Sequence, residues 1–267
     1  MKKKNKSLAT LLAVPVAFFC MGISFASCSH EHSYGSDLIC TECGSALTLL
    51  DYEMTDGGYM VTGYEFCAGT DLEIPSECNG LPVVGIAYGA FAEEGFTSVM
   101  IPGSVVYIGD QAFYRCDDLK SVTTEDGVAY IGKQAFYACH TLESVEISSN
   151  IIGESAFANC TSLLNVTMDK NVTGIGDNAF EGCDSLESIT IPDSVTSIGD
   201  YAFQGCESLE SITIGSSVTS IGYSAFFYCA SLTTVYYAGT EDEWNAISIS
   251  SGNDYLTSAT ICCSGQW

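Results

Sequence analysis

Positive charge is scarce in this sequence. The 267 residues hold 8 Lys and Arg against 33 Asp and Glu, a formal net charge of −25. Four of those cations are Lys2, Lys3, Lys4 and Lys6, which leaves only Arg115, Lys120, Lys133 and Lys170 for the rest of the chain. Such a field repels phosphate backbones and anionic lipid, so nucleic-acid binding is excluded as a function class. The same charge also serves solubility. Histidine is as rare: His30, His32 and His140 are the whole supply. The sequence has no Gly-x-Ser-x-Gly elbow, no phosphate loop and no dinucleotide fingerprint. A pairing of Cys139 with His140 is the nearest approach to a catalytic dyad, and neighbours in sequence usually point apart. The reading is therefore of a protein that is not an enzyme.

Long apolar runs are also few. The first, Leu8 to Phe19, follows the cationic Met1–Lys6 and precedes small residues at Ala26-Ser27, the layout of a secretory signal over residues 1–27. An uncleaved membrane helix is the competing reading, but Pro15, Gly22 and two serines interrupt the stretch and no stop-transfer charges follow. Phe25-Ala26-Ser27-Cys28 resembles the bacterial lipobox, with Phe25 in place of the usual aliphatic residue. That resemblance implies lipid on Cys28 and a membrane anchor; plain export is the alternative.

What the chain does have is a repeated phrase, Ile-Gly-x-x-Ala-Phe-x-x-Cys-x-x-Leu. Six copies begin at Ile108, Ile131, Ile152, Ile175, Ile198 and Ile221, and a weaker one opens at Ile86. The period is 23 residues, with one gap of 22 and one of 21. A fixed period of this size predicts a solenoid, because no single unit can bury its own apolar face. Within a coil, Ile189-Thr190-Ile191 alternates as a short strand with Thr190 outward, and Pro192 stops it. Ser194 to Ile198 forms a second extended piece. Gly176 is expected to supply positive φ at the corner, and Ala179-Phe180-x-x-Cys183 a single helical turn. The fold class is α/β, a β-rich solenoid with short helical turns and a parallel sheet on one face.

The most regular copies run Ile198-Gly199-Asp200-Tyr201-Ala202-Phe203-Gln204-Gly205-Cys206-Glu207-Ser208-Leu209-Glu210-Ser211-Ile212-Thr213-Ile214. This resembles the BspA-type leucine-rich-repeat family of bacterial and protozoan surface proteins. The flanks Asp71–Pro75 to Asn79–Val83 and Tyr236–Trp244 to Ala259–Ile261 resemble that family's opening and closing segments. The resemblance covers roughly residues 49–267 and implies a leucine-rich-repeat solenoid at the cell surface. It also implies adhesion to macromolecules of a host or a neighbouring cell. The organisation expected is a signal peptide (1–27), a lipid-anchored Cys/His tether or knuckle (28–48), an N-terminal cap (49–85), about seven repeats (86–235) and a C-terminal cap (236–267).

Fourteen cysteines ordinarily suggest a disulfide scaffold in a small exported protein. Here six recur at one repeat position: Cys116, Cys139, Cys160, Cys183, Cys206 and Cys229. That regularity favours a reduced, buried ladder, since free cysteine packs as a small hydrophobe. Cys67–Cys78 and Cys262/Cys263, in the caps, are the better disulfide candidates. His30, His32, Cys40 and Cys43 have the composition of a zinc knuckle. A Cys40–Cys43 disulfide and a plain spacer stand beside that reading, so a structural zinc at the tether is the one cofactor in view. Asp110, Glu154, Asp177 and Asp200 form an acidic row that suits either calcium or, more simply, a solvated turn edge. The ligand-binding face is expected on the sheet, through Glu143, Glu146, Thr167, Glu187, Thr190, Glu210 and Thr213, which stack into outward columns. Repeated weak contacts there sum along a long ligand, an extracellular protein or glycan. A structural envelope spacer and, less favoured, a glycan hydrolase are the alternative functions.

Overall fold

A computed structural model describes residues 22–23, 48–67 and 69–264 of the chain. The signal peptide and tether expected over residues 1–48 lie almost wholly outside the described residues. An antiparallel hairpin, Thr48–Thr55 with Gly58–Cys67, opens the structure. Leu81–Ile86 then runs parallel to the hairpin's second strand, and from it the coils stack one upon another.

Each coil contributes one strand to each of two parallel faces. On the first face lie Asp71–Glu73, Ser98–Ile101, Ser121–Thr124, Ser144–Ile147 and Asn165–Met168, followed by Ser188–Ile191, Ser211–Ile214, Thr234–Tyr237 and Thr260–Cys263. On the second lie the short strands ending in Ile108, Ile131, Ile152, Ile175, Ile198, Ile221 and Ile249, which form a continuous ladder with Leu81–Ile86. Pairing is in register with the repeat: Ile175 opposes Ile198, which opposes Ile221. Ile, Val and Thr suit these pleated, half-buried positions. The first face is divided between Asn165–Met168 and Ser188–Ile191, where ladder pairing lapses. The inward residues there are half-buried Val166 and Met168, whereas Ile189 and Ile191 are buried.

The link between the faces corrects one expectation. It is a chain of reverse turns, not a helical turn. In the coil of Ile108, Ala112 N–H donates to Gly109 O (3.2 Å), Tyr114 N–H to Gln111 O (3.1 Å), Cys116 N–H to Phe113 O (3.4 Å) and Leu119 N–H to Cys116 O (3.1 Å). Gln111 and Arg115 hold φ of 56° and 55°; Asn178 and Gly182 do the same at 57° and 66°. A left-handed residue every fourth position, as in type II turns, prevents consecutive helical residues from accumulating. Among the described residues the helices are Glu241–Ala246 and Asp254–Ser258, both in the closing segment. Glu241–Ala246 is initiated by Thr240, whose hydroxyl accepts from Glu243 N–H while the Glu243 carboxylate accepts from Thr240 N–H.

The corner glycine is also needed for a different reason than φ. Gly176 does not hold a left-handed φ; that conformation sits two residues on, at Asn178. A β-carbon on Gly176 would lie 2.8 Å from Ile152 O and 2.9 Å from the Gly153 carbonyl carbon. The coils touch backbone to backbone at this point, and only a residue without a side chain fits.

The core is a set of ladders. Phe91, Phe113, Phe136, Phe157, Phe180, Phe203 and Phe226 are wholly buried, and successive rings stack with centroids 5.0–5.4 Å apart. That spacing follows the roughly 4.8 Å repeat of the strands and is a favourable separation for aromatic pairs. The cysteine ladder is buried beside it, and each thiol donates to the phenylalanine carbonyl of the preceding coil: Cys116 to Phe91, Cys139 to Phe113, Cys160 to Phe136, Cys183 to Phe157, Cys206 to Phe180 and Cys229 to Phe203, at 3.1–3.4 Å. The thiol thus fills a small apolar slot and gives the phenylalanine carbonyl a donor from the next coil, in several coils beside the turn's own N–H donor, as with Cys116 N–H on Phe113 O. Burial raises the pKa of Cys183, Cys206 and Cys229, the last to about 12. Thiolate, the reactive species, is therefore suppressed.

In the closing segment, Cys262 and Cys263 are consecutive in the strand Thr260–Cys263, with Cys263 buried and Cys262 half-buried. Consecutive strand residues face opposite ways, which does not suit a bond between those two sulfurs. Near the opening hairpin, Cys67 Sγ donates to Gly69 O (3.1 Å), and Cys78 is buried.

Candidate binding faces of the solenoid

The first face carries the residues expected to bind. Glu143, Glu146, Thr167, Glu187, Thr190 and Glu210 are exposed, and Thr213 is half-buried. The strands align them as stacking requires. Glu146 lies between Thr123 and Thr167, and Thr190 continues through Thr213 to Tyr236. A second row runs Ser188, Ser211, Thr234 and Thr260. Glu143, Glu187 and Glu210 stand just ahead of the strands with their backbones fixed: their carbonyls accept from Leu164, Glu210 and Thr233 N–H at 2.9–3.0 Å. The expected three columns are therefore present, but the lapse in pairing before Ser188 divides each of them into two segments.

The face also includes features that the columns alone did not suggest. Met100 and Leu164 are exposed on it, and Thr124 takes an inward position. The Thr124 hydroxyl donates to Glu146 O (3.2 Å) and accepts from Ser148 N–H (2.8 Å), which makes a buried polar side chain tolerable.

The acidic row after the corner has a structural use. Asp110 Oδ1 accepts from Lys133 N–H (2.8 Å), Asp177 Oδ1 from Asp200 N–H (2.8 Å) and Asp200 Oδ1 from Tyr223 N–H (2.6 Å). Each carboxylate thus ties its coil to the next. The row is interrupted at Lys133, whose ammonium pairs with Glu154 at 2.7 Å. Among the described residues no group of three or more His, Cys, Asp or Glu is placed to hold a metal ion. His30, His32, Cys40 and Cys43, the zinc candidates, lie outside the described residues, as does Cys28.

The Cys139–His140 pairing does not form. Cys139 points into the core and bonds to Phe113 O, whereas His140 Nδ1 lies 2.8 Å from Asp117 Oδ1 on the surface. Burial of one partner and exposure of the other separates a nucleophile from its base.

Sequence reasoning did not pick out two exposed aromatic groups. Tyr107 and Tyr130 stack on the second face at 5.5 Å, and Phe227 meets Tyr228 edge-on at 4.5 Å in the last turn tract. For the latter a signal was present. Phe227-Tyr228 replaces Glu181-Gly182 and Gln204-Gly205 at the same point of the repeat.

Two-faced stacking of short parallel strands around Ile, Phe, Cys and Leu ladders defines a leucine-rich-repeat solenoid with open polar faces. The chain belongs to the BspA-type leucine-rich-repeat family: residues 84–194 and 147–256 match that family's repeat region in six copies. It is similar to a leucine rich cell surface protein from Faecalibacterium prausnitzii, at 22% identity over 84% of this chain and 99% of that one, with a TM-score of 0.37. It is also similar to the T. pallidum leucine rich repeat protein, at 24% identity over 80% of this chain and 83% of that one, with a TM-score of 0.41. A third likeness is to the pneumococcal vaccine antigen PcpA, at 13% identity over 88% of this chain and 98% of that one, with a TM-score of 0.41. No curated protein matches the sequence. Among the described residues no helix is long and apolar enough to cross a membrane.

Proposed function

We propose that this chain is an exported surface protein that binds a macromolecular ligand, a protein or glycan of a host or neighbouring cell, on the first face of its solenoid. The observation that carries the reading is the register of the exposed rows. Thr190, Thr213 and Tyr236 stand strand upon strand, as do Ser188, Ser211 and Thr234, so a hydroxyl recurs at each of three successive coils. A ligand that meets one such group meets several in series, and individually weak contacts sum. Ser, Thr and Glu suit polar or basic partners and not an apolar one. The ligand screen pairs the purified protein with immobilised extracellular-matrix proteins and with glycans. Changing Glu143, Glu146, Glu187 and Glu210 together to Lys is expected to weaken capture of a partner found there about tenfold or more while the far-ultraviolet circular dichroism spectrum is retained, since these side chains are exposed. Capture untouched by the four reversals removes this face as the site, and capture of no ligand leaves a structural role in the envelope.

Anchoring completes the proposal. The signal-like N-terminus and Phe25-Ala26-Ser27-Cys28 support a lipid on Cys28, which would hold the solenoid at the membrane surface. Radiolabelled palmitate is expected in the wild type and absent from Cys28→Ala. Label in both proteins, or in neither, rejects the anchor.

A further inference from the structure

The turn side of the last coils carries an aromatic site of its own, away from the strand rows. One repeat position reads Glu93, Arg115, Ala138, Asn159, Gly182, Gly205 and Tyr228, all with positive φ. Gly182 and Gly205 are adjacent, and a β-carbon built on Gly205 would meet only Gly182 backbone atoms, 3.8 Å away. A strip of bare, half-buried backbone thus lies between two walls. At one end the Asn159 carboxamide lies over Gly182, its Oδ1 2.8 Å from where a β-carbon would be. At the other, Gly205 N–H donates to Phe227 O (2.8 Å), which sets the Phe227–Tyr228 pair directly beside the strip.

Both rings face solvent: Phe227 is 40% exposed and Tyr228 57%. A pair of large exposed aromatics is uncommon on a surface with no partner. Nothing in the fold requires them, because the same turn is made with Glu181-Gly182 and Gln204-Gly205 in the preceding coils. Tyr228 is also a bulky residue in a left-handed conformation (φ 60°) that the two coils before it fill with glycine, Gly182 and Gly205.

The charge of the two preceding coils selects the ligand. Glu181, Asp184 and Glu207 stand in the same two coils, with Asp184 and Glu207 exposed. Asp184 is harder to ionise than an ordinary carboxylate, through partial burial and then through the nearby Glu207 charge. The four basic residues beyond the signal, Arg115, Lys120, Lys133 and Lys170, all precede these coils. Exposed aromatic rings one and two coils on from these carboxylates, with no basic residue in the same coils, suit a guanidinium or ammonium group: the ring face attracts the cation and the anionic coils favour its approach. We propose that Phe227 and Tyr228, with the Gly182–Gly205 strip and its carboxylates, form a second site that takes an arginine or lysine side chain from a basic segment of a polypeptide partner.

The test uses the mature chain and a nona-arginine peptide, with a neutral Gly/Ser peptide of equal length and neutral oligosaccharides as comparisons. Because the whole protein is anionic, a variant of unchanged charge is needed. Tyr228→Asn is one, and Asn159 already holds that conformation in the same column, so folding is retained. Tyr88→Asn, an exposed tyrosine in an early coil, is the control. Nona-arginine binding is expected to weaken with added salt, to fall about tenfold in Tyr228→Asn and to stay unchanged in Tyr88→Asn. Equal binding by wild type and Tyr228→Asn overturns the site and leaves only general attraction to an anionic surface. Equal losses in both variants do the same. Salt-insensitive binding of an oligosaccharide that depends on Tyr228 overturns the cationic assignment in favour of a glycan.

Discussion

Phe180→Ala is expected to cost about 3–5 kcal/mol, the range for an aromatic removed from a packed core. Phe180 is wholly buried between Phe157 and Phe203, each with its ring centroid 5.4 Å away. The usual relief, collapse of the neighbours into the gap, is blocked here. The backbones that carry both flanking rings are pinned to the coil that follows each, Phe157 N–H bonding to Ala179 O and Phe203 N–H to Ala225 O at 2.8 Å. The carbonyl of Phe180 further accepts the Cys206 thiol (3.3 Å), so backbone adjustment would disturb the next ladder as well. In a solenoid each unit is stabilised by its neighbours, so a defect in a central coil weakens two interfaces at once. Urea denaturation followed by circular dichroism measures the loss. A change below about 1 kcal/mol means that the ring is not in the core. Phe227→Ala, one position from the buried ladder and largely exposed, makes the matched comparison with little expected change.

Gly199→Ala comes next, with an expected cost of about 3 kcal/mol, at the upper end for adding one carbon to a packed site. The new β-carbon would lie 2.5 Å from the Gly176 carbonyl carbon and 2.6 Å from Asp177 N. Those are backbone atoms, which cannot rotate aside, and Asp177 is itself tied forward to Asp200 N–H through its carboxylate. The coils would have to part at the point where Gly199 N–H reaches Ile175 O (2.9 Å). Gly205→Ala gives the instructive contrast. Gly205 is left-handed (φ 73°), yet its side-chain direction is open, so only conformational strain of about 1 kcal/mol applies. The ordering of the two melting temperatures decides the matter. If Gly205→Ala is the more damaging, φ and not coil approach governs the corner.

That contrast shows where sequence reading stops. Ile-Gly in six of the seven copies marks a corner, and glycine at a corner suggests φ. The distance from Gly199 to the coil below is a property of the stack, and no single coil contains it. The turn tract is similar. Ala179, Phe180 and Cys183 are spaced as one helical turn would space them, and all three are buried. The same spacing arises from linked reverse turns, and the left-handed Asn178 that distinguishes the two is only weakly marked by its residue type.

The candidate site divides in the same way. Outward Ser188 and Thr190 follow from strand alternation, which is a local rule, whereas Glu187 stands ahead of the strand and that rule does not place it. The break in the rows after Asn165–Met168 depends on how two neighbouring coils pair, and the half-burial of Val166 and Met168 is visible only once they are stacked. The acidic row was readable as a row, but its use was not. Asp110, Asp177 and Asp200 accept backbone N–H groups 23 residues away, in the next coil.

The sequence by itself determined the repeat, its period, the residues of each ladder and the anionic character of the surface, because burial pattern and charge are written residue by residue. The tertiary structure decided the rest: that the corner glycines make room for a neighbouring backbone, that the aspartates and cysteines close hydrogen bonds between coils, and that Tyr228 stands beside an open strip at Gly182 and Gly205. Each of these is a relation between residues about one period apart, and stacking alone brings such residues within a few ångströms of each other.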